Sequence, residues 1–201
     1  MPPFRLPTPG NPRVQRTRAR ILATARELLA EAGPGGLTYS RLAERAGVTR
    51  QTLYRHWPAR AALFVDLILD GPEVGYPEPG ADLRAVATAW LASLRAGLSD
   101  QAARAAVLAV TVQADHDPDC ARALERIAAD RLAALNDLLV PSGHRLTAED
   151  YILLVGPMLA RLFFERAAVT SEFIDAVVLQ WLCHYDHCGQ NGNQGGGPGE
   201  S

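Results

Sequence analysis

Lysine is absent from this sequence: all twenty Lys-or-Arg positions are arginine. A codon bias toward G and C explains that without invoking function. Cysteine is scarce, at Cys120, Cys183 and Cys188 only, an odd number too small for a disulfide framework. No apolar run reaches the roughly 18 residues that a membrane-spanning helix needs, so no membrane association is expected. The segment Met1 to Pro12 is proline-rich and lacks the apolar stretch of a secretory signal, which makes the cytoplasm the expected location. Between residues 82 and 185 there is no nucleophile–base pair, phosphate loop or convincing metal triad. No catalytic residue, bound metal or resident cofactor is therefore expected.

What is present is a globular chain with 48% hydrophobic and 21% charged residues, enough for one or two domains. Its net charge of −2 hides a strong segregation. Residues 1–60 hold eleven arginines against Glu27, Glu31 and Glu44, whereas residues 61–201 hold nine against nineteen acids. One end is suited to a polyanion and the other is not. A merely basic disordered arm does not account for this, because Arg41, Arg45, Arg50, Arg55 and Arg60 fall within predicted helices.

Apolar periodicity predicts an all-α fold. Ile21, Leu22, Ala25, Leu28, Leu29 and Ala32 form one stripe of a helix over 16–32, which Gly33-Pro34-Gly35-Gly36 should stop. Thr38 can cap a short helix over 39–46 with Leu42, Ala43 and Ala46 inward, and Gly47 is its C-terminal stop. Thr49 can cap another over 50–56, which Trp57-Pro58 ends. A fourth helix begins near Ala59. After a Gly/Pro/Glu linker from Asp70 to Gly80, amphipathic helices are expected near 82–97, 101–114, 119–139, 148–167 and 171–185. Pro157 inside the fourth of these should bend it. The Gly/Asn/Gln tail over 189–201 is expected to be disordered.

The informative stretch runs from Leu37 to Trp57. Two short helices meeting at a tight Ala46-Gly47-Val48 turn form a helix-turn-helix. Small Ala43 allows close approach, Gly47 permits an otherwise strained backbone, and Val48 and Leu53 plug the angle. With Leu53 inward, about 100° per residue places Gln51 and Arg55 on the opposite face. Arg50, Thr52 and Tyr54 flank them. Arginine can bond guanine in a two-pronged manner and glutamine can do so with adenine. Arg41 and Arg45 read instead as a solvated face.

At this point the sequence resembles the TetR/AcrR family of transcriptional regulators. The likeness rests on Thr38, Leu42, Ala43, Ala46-Gly47-Val48, Thr52-Leu53-Tyr54, His56-Trp57, Arg60 and Leu63-Phe64. It implies a three-helix DNA-binding domain over 14–60 and a ligand-binding and dimerisation domain over 61–188. It also implies a homodimer on a palindromic operator in double-stranded DNA, acting as a repressor released by a small effector. Position by position, Ser40, Arg50, Gln51, Thr52 and Arg55 match base-reading positions. Thr38, Tyr39, Tyr54, His56 and Arg60 match phosphate-holding positions. Two departures stand out: Arg60 replaces a common lysine, and Trp57 a common phenylalanine. Some residues have a second reading. Tyr54 can be partly core, His56 can cap its own helix, and Arg13, Arg16, Arg18 and Arg20 either track the minor groove or phosphates or lie in a disordered arm.

In the C-terminal part the likeness continues over residues 146–182, where it implies two helices that pair with their copies in a four-helix bundle. Phe173, Val177, Gln180 and Trp181 share one face there, and Leu159, Leu162, Phe163 and Arg166 share another. An effector pocket is implied by the resemblance alone. Its candidate lining is Trp90, Leu94, Leu108, Thr111, Ile127, Met158 and Phe163, each of which is also compatible with ordinary core packing, and its apolar character suggests a hydrophobic effector.

Two further clusters are noted. Cys183/His187 and His184/Cys188 are i, i+4 pairs with spacing workable for zinc, without a second pair at finger spacing. The acidic run Asp115-His116-Asp117-Pro118-Asp119 is compatible with a polar loop or a helix cap. The competing functions are an all-α enzyme or ligand carrier with an appended helix-turn-helix, and an architectural DNA binder that senses nothing.

Overall fold

In the computed structural model the described residues are 12–69 and 76–191, with side chains as far as Tyr185. They form helices α1 (Pro12–Gly36), α2 (Tyr39–Ala46), α3 (Arg50–His56), α4 (Arg60–Leu69), α5 (Leu83–Gly97), α6 (Gln101–Ala114), α7 (Pro118–Leu139), α8 (Ala148–Phe163) and α9 (Ser171–Asn191). A single 3-10 turn, Val140–Ser142, follows α7. No strand occurs among the described residues, so the fold is all-α as expected. None of these helices is long and apolar enough to cross a membrane.

Two compact units are present. The first takes residues 12–69 and 97–127 of the described chain, and the second takes 76–96 and 128–191. Within the first unit, α4 and α6 both pack on α1. Ala102, Ala106, Ala109 and Val110 of α6 join Ile21, Leu28, Leu53, Trp57 and Phe64 in one buried core. A stripe of alanines lets the helix axes approach closely. Ala32, the last member of the predicted α1 stripe, is exposed instead.

Local signals set the helix ends. Gly33 adopts φ 63°, which interrupts α1 before Pro34. Thr38 caps α2 by accepting from the Arg41 N–H, and Thr49 caps α3 by accepting from the Thr52 N–H. Thr147 and Asp150 form a reciprocal capping box at the start of α8. Pro157 lies inside α8, which continues past it to Phe163 rather than to the expected 167. The stop is a left-handed turn with Arg166 at φ 55°. There the Ala167 N–H returns to the Arg161 carbonyl at 3.1 Å, satisfying a terminal acceptor. Arg166 consequently lies outside the face it was expected to share with Leu159, Leu162 and Phe163.

Of the 70–80 linker, residues 76–80 are described, and they are neither helix nor strand. Residues 192–201, most of the expected tail, lie outside the described residues. So do the side chains of His187 and Cys188, and with them the i, i+4 cysteine–histidine pairs.

Candidate nucleic-acid interface

The α2–turn–α3 segment is held from beneath by Leu42, Ala43, Ala46 and Leu53, all buried. Gly47 makes the turn at φ 63°, ψ 40°, its N–H returning to the Ala43 and Glu44 carbonyls. Val48 closes the angle against the same core. At the far end, buried Trp57 terminates α3, and the Tyr39 hydroxyl donates to its carbonyl at 2.7 Å. Two short helices are thereby fixed as one rigid body.

Fixing one face leaves the other free. Arg50, Gln51, Tyr54 and Arg55 are exposed on α3, and Ser40 is exposed on α2. Arg50, Gln51 and Arg55 make no hydrogen bond or ion pair with any described residue. Tyr54 stands edge-on to Tyr39, with ring centroids 4.9 Å apart. Thr52 is half-buried, its hydroxyl 3.0 Å from that of Thr49.

The two arginines of α2 are occupied. Arg45 grips Glu31 through two 2.5 Å bonds, and Arg41 donates to the Gly36 carbonyl at 3.2 Å. Neither faces outward uncommitted, in line with a solvated face. On α1, Arg13, Arg16, Thr17 and Arg20 line a shallow basic concavity, while Arg18 pairs with Asp66 at 2.8 Å. The arm is helical from Pro12 onward.

The residues matched to phosphate positions divide. Thr38 is exposed, and its hydroxyl proton stays available while the oxygen caps α2. Tyr39 spends its proton on the Trp57 carbonyl, and burial, followed by the Tyr54 phenol, pushes its pKa up to about 12. His56 is half-buried; burial first, then Arg55 and Arg18, hold its pKa below the ordinary value. Arg60 points inward: it donates to the Pro34 carbonyl at 2.5 Å and lies 5.3 Å from the Phe64 ring centre. Its Nε is buried without a partner among the described residues.

Sequence reasoning missed the carboxylate that ties this unit together. Asp66 of α4 accepts from the Trp57 indole N–H and from Arg18. An acid on an otherwise apolar helix was the available signal.

A model of the tetR family of bacterial regulatory proteins matches residues 21–67, the segment whose geometry is described above. Residues 21–67 thus carry the DNA-binding segment of the TetR family. Among curated proteins, the HTH-type transcriptional regulator YdeS of Bacillus subtilis (strain 168) is 33% identical over 81 residues, 39% of this chain and 41% of YdeS. The nucleoid occlusion factor SlmA of Vibrio cholerae is 36% identical over 59 residues, 29% of this chain and 30% of SlmA. The matched stretch thus spans less than half of either relative. Among solved structures, the TetR-family regulator SCO0332 superposes with a TM-score of 0.67 at 25% identity, covering 84% of this chain and 97% of that one. Salmonella enterica GusR shares the fold, with a TM-score of 0.62 at 22% identity over 87% of this chain and 97% of its own. This TetR-family likeness is to regulatory proteins, not to enzymes.

The seven candidate pocket residues are split between the units. Leu108, Thr111 and Ile127 belong to the first, where Thr111 is exposed and Ile127 packs on the buried core. Trp90, Leu94, Met158 and Phe163 belong to the second, with Trp90 and Met158 buried. An open groove of about 280 Å³ between α8 and α9 is lined by Leu153, Pro157, Val177, Gln180, Trp181 and His184. It contains none of the seven. It does contain three members of the face expected on α9.

Proposed function

We propose that this chain is a DNA-binding transcriptional repressor of the cytoplasm. Its homodimer would grip a palindromic operator through α2 and α3, and a small effector would release it. The observation that carries this reading is the set Arg50, Gln51 and Arg55, presented on one rigid exposed helix with no hydrogen-bond or ion-pair partner among the described residues. Two guanidiniums and an amide that no described carboxylate engages suit base edges, and each two-pronged base contact discriminates by about 1–3 kcal/mol. Ser40 and Thr52 complete the base-reading set. Thr38, Tyr54 and His56 would hold phosphates, Tyr39, bonded to the Trp57 carbonyl, would brace Tyr54 beside them, and the α1 arginines would extend the basic surface. Arg60, turned toward Pro34, serves this set from within.

The α8–α9 groove supports the homodimer. Ile152, Leu153 and Leu179 remain exposed to 57%, 47% and 46% on these two helices, and a second copy would cover them. A two-fold dimer places its reading helices about 34–36 Å apart, or a multiple of that, on the duplex.

Gel retardation of the DNA upstream of the chain's own and adjacent genes tests the proposal. The full chain should shift one fragment at low nanomolar to micromolar protein and lose it as salt rises, because bound cations displace counterions. Retardation of every fragment alike, or of none, would defeat it.

A further inference from the structure

A polar and aromatic cluster in the second unit has no role in DNA contact. Trp90 of α5 is 2% exposed, and its indole N–H is buried without a hydrogen-bond acceptor among the described residues. Tyr151 of α8 is the polar neighbour of that N–H: its hydroxyl interacts with the Trp90 side chain without fully satisfying the indole donor. Burial drives the Tyr151 pKa up to about 12, so at neutral pH this phenol is a neutral donor. Tyr76, half-exposed in the segment before α5, lies flat against the indole, with ring centroids 5.4 Å apart and planes 5° apart. Arg131 of α7 is half-buried, and its contacts are with Tyr76: its Cζ is 5.8 Å from the ring centre and its Nη1 3.4 Å from the hydroxyl. No described carboxylate neutralises it.

Each feature is unusual and together they complement one another. A buried donor without an acceptor calls for an explanation, and Arg131, partly exposed and without a counter-charge among the described residues, can still take an anion. Both deficits are met by one oxygen anion, placed where an aromatic ring already stacks. We infer that Trp90, Arg131 and Tyr151 form a binding site for a planar aromatic ligand bearing a carboxylate or similar oxyanion, and that the Tyr76 phenol occupies this site in its absence. The ligand ring takes the place of the Tyr76 ring on the indole. Its anion pairs with Arg131 and accepts from the Trp90 N–H and the Tyr151 hydroxyl. The site deepens the effector reading above and rests on that reading only for its regulatory meaning. It also narrows the expected effector from hydrophobic to amphiphilic and anionic.

Titration calorimetry on the full chain with benzoate, salicylate, 4-hydroxybenzoate and phenylacetate tests the inference, with 4-hydroxybenzamide as a neutral control. At least one acid should bind saturably, and the amide should bind more weakly. Arg131→Gln should weaken that acid by about tenfold or more, the effect of one charge-assisted contact. Tyr76→Ala, which removes the resident ring, should tighten it. Both positions are partly exposed, and circular dichroism checks that each variant retains its helices. Absence of saturable binding by any acid, or affinity unchanged in Arg131→Gln, overturns the site. An acid that binds through Arg131 yet leaves gel retardation unaltered supports the site and overturns the effector reading.

Discussion

The indole N–H of Trp57 donates to the Asp66 carboxylate at 2.6 Å, and the same oxygen meets Arg18 at 2.8 Å. A single acid on α4 thus joins the end of α3 to α1. Trp57→Phe keeps the aromatic bulk but removes the donor. The expected loss in chemical denaturation is about 1.5–3 kcal/mol, the range for a hydrogen bond to a charged group. Asp66→Asn should be milder, since the amide oxygen can still accept from the indole.

Gly47 is left-handed, and a Cβ placed there would meet nothing within 4 Å. Gly47→Ala therefore isolates backbone strain from steric clash. It should cost about 1–2 kcal/mol of stability, with Gly47→Asn costing less. Equal stability of alanine and glycine at this position would show that the turn does not require the left-handed conformation.

Arg60 separates two roles cleanly. Its guanidinium is bonded to the Pro34 carbonyl and lies over Phe64, so Arg60→Ala should cost about 1–2 kcal/mol of stability. The salt dependence of DNA binding should stay unchanged. A slope flattened by about 1, at unaltered stability, would instead make Arg60 a phosphate contact.

His56 gives the unit a pH dependence with a definite sign. Burial and the neighbouring Arg55 and Arg18 hold its folded pKa below 6.5. The unfolded chain therefore takes up this proton first as pH falls, so stability is lost from about pH 6.5 down through the folded pKa. Glu31 and Glu172, held below the usual 4.5 by their hydrogen bonds, add their own loss only at lower pH. Melting temperatures at pH 7 and pH 5 should differ less in His56→Gln than in the parent.

The reading unit was legible because its determinants are local. Thr38, Gly47 and Thr49 act within three or four residues of themselves, and α2 and α3 begin and end where these residues predict. What sequence could not show depends on partners distant in the chain. Arg60 meets Pro34 across 26 residues and Tyr39 meets Trp57 across 18. Helical spacing says which face a side chain takes but not what waits there. The alanines of α6 read equally well as part of another domain until α1 and α4 supplied the opposing surface. In the second unit Trp90 is among the pocket residues that the family resemblance suggests. Tyr76 and Arg131 are not, because only the fold brings them to it.

The reading surface itself is tested most directly by enrichment of random duplexes on the purified full-length chain. The enriched sequence should be two-fold symmetric, with half-sites about one or more helical turns apart. Alanine at Arg50 and Gln51 should alter the preferred bases while Arg45→Ala, whose side chain is held by Glu31, should not. An identical enriched sequence from the Arg50→Ala, Gln51→Ala protein would contradict the assignment of α3 as the reader.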